Sequence, residues 1–227
     1  MLLAIETSTN VCSVAFQNAD GEIFEERFVG RSVHSEKLFL SIEKLMSDHS
    51  FLLTDLEGVL VSNGPGSYTG LRIAASGIKG LLFEDPCPLF AITTFNGFAM
   101  SAHLTRPDVT SIHSVIDARR THLYYQQFEV RENRLTQISD ISVEELDKVN
   151  KLIESGDCII GTGIERLDES LTSSCTLLNE EFVTAIALIR LYHMYKDSPW
   201  IVQASVQEFE PNYYTSNQVN NSITKSS

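Results

Sequence analysis

Residues 58–76 read Gly-Val-Leu-Val-Ser-Asn-Gly-Pro-Gly-Ser-Tyr-Thr-Gly-Leu-Arg-Ile-Ala-Ala-Ser, and no other stretch constrains the fold as much. A buried-type strand over 59–62 runs into a glycine-rich turn, and the turn opens a helix over 70–83. Gly64 and Gly66 allow backbone angles closed to other residues, with Gly66 expected at positive φ. Pro65 stiffens the turn and donates no N–H. Ser67 or Thr69 can cap the helix, and Gly70 completes the loop. Such a loop can cradle a phosphate at the helix N-terminus, or it can be a plain strand-to-helix turn. A Walker A loop is excluded, because Thr69 and Gly70 stand where Gly-Lys is needed; the dinucleotide fingerprint fails at Thr69.

The flanking sequence predicts an α/β protein. Leu2–Glu6, Cys12–Gln17 and Glu22–Phe28 read as strands, followed by a helix from about Ser35 to Ser47 with Leu38, Ile42, Leu45 and Met46 on one stripe. After the strand–helix pair, 89–93 is a further strand. The second half opens alike: strands over Ile112–Asp117, Leu123–Val130 and Leu135–Ser139, a helix over Val143–Glu154, and a strand over Asp157–Ile160 ending at Gly161-Thr162-Gly163. A short strand at Cys175–Leu178 and a helix over Phe182–Lys196 follow. Two mixed-sheet halves, 1–98 and 99–215, are expected as a structural duplication, with a polar tail at 216–227. The first strand of each half ends in an acid, Glu6 and Asp117.

The 227 residues carry a formal charge of −13 and no run of Lys or Arg, which argues against independent nucleic-acid binding. Cys12, Cys87, Cys158 and Cys175 form no C-x-x-C and are expected as buried free thiols. The chain starts directly on a strand, and no apolar run is long enough to span a bilayer, so a cytoplasmic, membrane-free protein is expected. Helix 70–83 carries Gly70, Ala74 and Gly77 as a smooth face, ringed by Leu71, Ile78, Leu81 and Leu82. Together with Leu38, Ile42 and Leu45 this is more apolar surface than one neighbour covers, and predicts a partner contact.

Gly-Pro-Gly-Ser-Tyr-Thr-Gly-Leu-Arg-Ile closely resembles the signature of the TsaB (YeaZ) family of tRNA threonylcarbamoyladenosine biosynthesis. Leu3–Thr9 with Cys12–Ala15, His34–Leu38, Ile116–Arg119 with Tyr124-Tyr125, Gly161–Gly163 and Glu210–Tyr213 extend the likeness over residues 1 to 215. The chain departs from it at Glu6, where many members have Asp, and after Tyr213, where Tyr214-Thr215 replace the usual Leu-Arg. The resemblance implies a duplicated actin-like (ribonuclease H-like) fold, in which Glu6, Asp117, Gly161 and Gly163 would line a vestigial nucleotide cleft. It implies a non-catalytic scaffold that pairs with TsaD, with TsaE in a larger complex, meets tRNA only through that complex, and forms a homodimer when alone. No cofactor is implied. The catalytic relative TsaD has paired histidines four apart on its first helix; here Leu38 follows His34 at that spacing, so no metal is expected. The competing reading is an enzyme, either an actin-like ATPase or a glycoprotease-like metallopeptidase.

Overall fold

The computed structural model describes residues 1–83 and 87–214. The last residues expected for the polar tail, 216–227, lie outside the described residues. Two compact units emerge: Met1–Gly97 with Val183–Asn212, and Phe98–Phe182 with Tyr213 and Tyr214. Residues Val183–Asn212, expected in the second half, therefore complete the first.

In the first unit, β1 (Leu2–Glu6) and β2 (Val11–Gln17) are buried along their whole length, as their runs of Leu, Ile, Val, Ala and Phe require. β3 (Ile23–Val29) completes the meander, and α1 (Val33–His49) follows. β4 (Gly58–Ser62) feeds α2 (Tyr68–Leu81), and β5 (Leu89–Ile92) ends the run. α3 (Thr94–Thr105) then carries the chain into the second unit. There, β6 (Ser111–Asp117), β7 (His122–Arg131), β8 (Arg134–Gln137) and β9 (Ser142–Glu145) precede α4 (Leu146–Leu152) and β10 (Cys158–Ile160). α5 (Glu169–Thr172) and β11 (Thr176–Leu178) follow. α6 (Ile186–Tyr195) and β12 (Ile201–Ala204) return to the first unit.

The first sheet has the order β12-β5-β4-β1-β2-β3, and the second β11-β10-β6-β7-β8 with β9 beside β7. In each, the founding strand (β1 or β6) pairs antiparallel with the next strand and parallel with a later one. This repetition is the structural duplication expected from the sequence. Three local expectations change. The helix expected from Val143 begins only at Leu146, because Ser142–Glu145 pairs antiparallel with Tyr125–His122 as β9. The helix expected from Phe182 starts at Ile186. α3 and β12 gave no readable signal: α3 is buried on every side from Thr94 to His103, so no polar stripe marks its period, and β12 is four residues long.

The first core gathers Leu3, Ile5, Val14 and Phe16 from the sheet, Leu38, Ile42 and Leu45 from α1, and Ala74 and Ile78 from α2. Phe209, from the segment after β12, is sealed into it at 5% exposure. A smaller core holds Val115, Leu123, Tyr125, Val149, Ile153 and Ile159 in the second unit. Cys12, Cys87 and Cys158 are buried free thiols, while Cys175 is half-buried. Burial pushes the Cys12 thiol up to about 11, so it is no nucleophile near neutral pH.

Candidate functional site

The glycine loop is closed by the protein's own backbone. Ser67 caps α2, its hydroxyl accepting the Gly70 N–H at 3.2 Å, and its own N–H donates to the Ser8 carbonyl at 2.7 Å. A Cβ on Gly66 would overlap the Ser8 carbonyl, and one on Gly70 the Thr7 carbonyl. The Thr7 hydroxyl donates to the Gly70 carbonyl at 3.0 Å. Gly64 stands at φ 109°, and a Cβ there would overlap the Asn212 carbonyl. Asn212 in turn donates its N–H to the Asn63 carbonyl at 2.7 Å. The turn that resembled a phosphate cradle is thus closed by Thr7 and Ser8 of the β1–β2 turn and by Asn212, and Pro65 within it is buried. Gly66 is not among the positive-φ glycines; closeness to Ser8 is what demands glycine there.

Each of the four residues expected in a nucleotide cleft has a local contact that accounts for it. Glu6 is 1% exposed, accepts the Ser8 N–H at 2.6 Å, and lies beside the Ser8 and Ser62 hydroxyls. Burial pushes its carboxyl up, and the Ser8 N–H pulls the other way. Asp117 accepts the Arg119 N–H at 2.9 Å and the Arg166 guanidinium at 2.6 Å. Gly161, at φ 123°, lets the chain pass against the Val115 carbonyl, and Gly163 donates its N–H to that carbonyl at 3.2 Å. His34 Nε2 bonds the Val11 carbonyl at 3.1 Å, and burial pushes its imidazole down. Among the described residues no three His, Cys, Asp or Glu side chains are grouped to hold a metal.

The helix pair looks different from its sequence reading. Leu38, Ile42, Leu45, Leu71, Ala74, Gly77 and Ile78 are all buried within the chain, and Leu81 is half-buried. The small-residue face that suggested a partner is the face α2 turns inward, where Ala74 and Ile78 join the cluster that includes Leu38, Ile42 and Leu45. The surface left open borders that contact, with Gly77 at the edge between the two. Phe39 (46% exposed), Leu40 and Tyr68 face solvent there, and Arg72 stacks over the Tyr68 ring at 4.4 Å. Ser35, Phe39, Tyr68, Thr69, Arg72 and Ile73 line a groove of about 490 Å³ between α1 and α2.

A family model described as "TsaD: tRNA N6-adenosine threonylcarbamoyltransferase" matches residues 29–176. The chain is similar to "tRNA threonylcarbamoyladenosine biosynthesis protein TsaB" of Escherichia coli (strain K12), 29% identical over 132 residues that cover 58% of this chain and 56% of that protein. The protein of that name from Haemophilus influenzae (strain ATCC 51907 / DSM 11121 / KW20 / Rd) is 30% identical over 126 residues, 56% of this chain and 52% of that one. The chain belongs to the TsaD-related family, on its TsaB/YeaZ branch. Its aligned part spans about half the length of these curated relatives. The solved structure of "YeaZ from Pseudomonas aeruginosa" has the same fold, with a TM-score of 0.78 at 22% identity, covering 94% of this chain and 99% of that one.

In this TsaB-family chain the stretches that carried the likeness occupy connected places within each unit. Thr7–Ser8, Gly64–Gly70 and Asn212 meet around one loop. Asp117 and Arg119 share a turn, and the clamp on it, Arg166, gave no sequence signal because its partner lies 49 residues earlier. A buried network in the second unit also escaped sequence reading. His113, fully buried, places Nδ1 2.9 Å from the Tyr125 hydroxyl and Nε2 2.8 Å from the Asp157 carboxylate. Burial pushes this imidazole down, with Asp157 opposing. A lowered folded-state value means the unfolded chain binds the proton first as pH falls through about 6.5. Stability is therefore full above that pH and declines below it, until the folded imidazole itself protonates. In thermal melts from pH 8 to 5, His113→Asn should flatten this decline. Part of it should remain, because burial pushes His34 and His193 the same way. An unchanged slope in the variant would remove His113 from the account.

Proposed function

We propose that this chain is the non-catalytic scaffold of a tRNA-modifying assembly, pairing with a TsaD-type transferase to support threonylcarbamoyl transfer to adenosine 37 of tRNA. TsaE joins the larger complex, tRNA is modified only within the assembly, and a second copy takes the partner's place when the chain is alone. The observation that carries the reading is the groove between α1 and α2. It is an open apolar surface with aromatic walls (Phe39, Tyr68) and one guanidinium (Arg72), the composition of an interface core. The names of the curated relatives supply the pathway. The buried Glu6 and the paired Asp117 favour a scaffold over an ATPase.

The test is Phe39→Glu, which places a charge in the groove without touching the core beneath it. Melting should stay near wild type, while co-elution with TsaD and tRNA modification in a reconstituted assay should fall. Losing an aromatic anchor and burying a carboxylate costs about 2–4 kcal/mol, or roughly 30- to 1,000-fold in affinity. A folded variant that still binds TsaD normally would move the interface elsewhere. A wild-type chain that never co-elutes with TsaD would end the pairing reading itself.

A further inference from the structure

The tip of the β6–β7 hairpin is built against its own backbone preference. Ala118 and His122 close a three-residue loop, Arg119 to Thr121, through the Ala118 N–H to the His122 carbonyl at 3.2 Å. Its first two residues, Arg119 and Arg120, stand at φ 71° and 53°. Glycine adopts that left-handed geometry freely and asparagine tolerates it. Two arginines in succession do not, since a side chain with a Cβ is strained in the left-handed region. The strain is held in place. Asp117 accepts the Arg119 N–H, and Arg166 reaches over to bond both the Asp117 carboxylate and the Arg120 carbonyl. Both Arg119 and Arg120 are exposed, and among the described residues neither guanidinium has a hydrogen-bond or ion-pair partner. In a chain of net charge −13, this clamped turn presents two adjacent, uncompensated positive charges.

We infer that the Arg119–Arg120 turn is a phosphate-contact point for RNA, the place where this chain touches the sugar-phosphate backbone of the tRNA that the assembly modifies. The inference rests on the proposed role in tRNA modification and adds the surface that meets the substrate. Guanidinium groups match phosphate oxygens with paired N–H donors and stay charged at any physiological pH. An acidic chain repels a nucleic acid over most of its surface, so a contact is confined to the spot where positive charge is fixed outward. The same confinement explains why overall composition gave no sign of it.

The test uses the isolated full-length chain, labelled for NMR and titrated with an unmodified tRNA transcript at low salt. The amide resonances of Ala118–His122 should shift, and the affinity should fall with added salt at a log–log slope of about −2, for two neutralised phosphates. Arg119→Asn/Arg120→Gly places residues tolerant of the left-handed region at both positions and removes both charges. It should melt higher than wild type yet lose the tRNA shifts, an opposition that a purely structural turn does not produce. Lys44→Asn/Lys148→Asn removes two positive charges elsewhere and should bind tRNA as wild type. The inference is overturned if no shift appears at this turn, if shifts there survive the Arg119/Arg120 double variant, or if the lysine variant loses them equally. It is also overturned if poly-glutamate moves these resonances and tRNA does not. Because the titration needs no partner, its failure is separable from failure of the chain to pair with TsaD.

Discussion

Ala74→Arg should abolish the folded state rather than a partner contact. Ala74 has no exposed surface and lies in the first unit's core cluster with Leu38, Ile42 and Ile78. An arginine there adds a long side chain to a filled space and buries a guanidinium with no acceptor in reach of an apolar cluster. Overpacking alone costs about 1–3 kcal/mol, and an unpaired buried charge adds several more. Together these rival the whole stability of a typical domain, about 5–15 kcal/mol. The expected result is insoluble or proteolysed protein, with any soluble fraction lacking a cooperative melt. A folded Ala74→Arg with near-native melting would mean that α2 does not bury this face.

The second large effect is at Gly70. Its Cβ position is taken by the Thr7 carbonyl, with His34 Nε2 3.3 Å away, so the obstacle is backbone and has no rotamer to yield. Gly70→Val should destabilise by about 3–5 kcal/mol, lowering the melting temperature by about 6–20 °C at the usual 2–4 °C per kcal/mol for a chain of this size. Gly80→Ala is the control on the same helix: it is exposed, and nothing lies within 4 Å of the added atom. Gaining a helix former there should raise stability by up to about 1 kcal/mol. If both substitutions were equally mild, the loop would not be clasped by the β1–β2 turn as described.

The contrast between these helix positions also explains what was legible in the sequence. β1 and β2 follow from local apolar runs and α1 and α2 from helical stripes, and those elements fall within two residues of their expected bounds. Which face of α2 turns inward is not local. Gly70, Ala74 and Gly77 form a smooth stripe, but a smooth stripe suits a close neighbour from the same chain as well as from another. Here the neighbour is α1, with Phe39 and Leu38 against Gly77. The signal that could have decided it was the polar stripe of Arg72, Ser76 and Lys79. It marks the outer side of α2, next to the groove holding Phe39 and Tyr68. The glycine loop shows the same limit. Its residues announce that something must come close, while the identity of what comes close, the carbonyls of Ser8, Thr7 and Asn212, depends on chain that is distant in sequence. β9 was hidden for a related reason: Ser142–Glu145 has no apolar pattern of its own and becomes a strand by pairing with β7.

The return of Val183–Asn212 to the first unit bears on how the chain is made. A ribosome releases β1 through β5 first, and β5 then waits with an open edge until Ile201–Ala204 arrives to pair with it. The N-terminal half is therefore unfinished during synthesis of all of Phe98–Phe182, and its core closes only when Phe209 emerges from the exit tunnel. A nonsense or frameshift lesion anywhere upstream of Phe209 would consequently be felt first in the residues translated earliest.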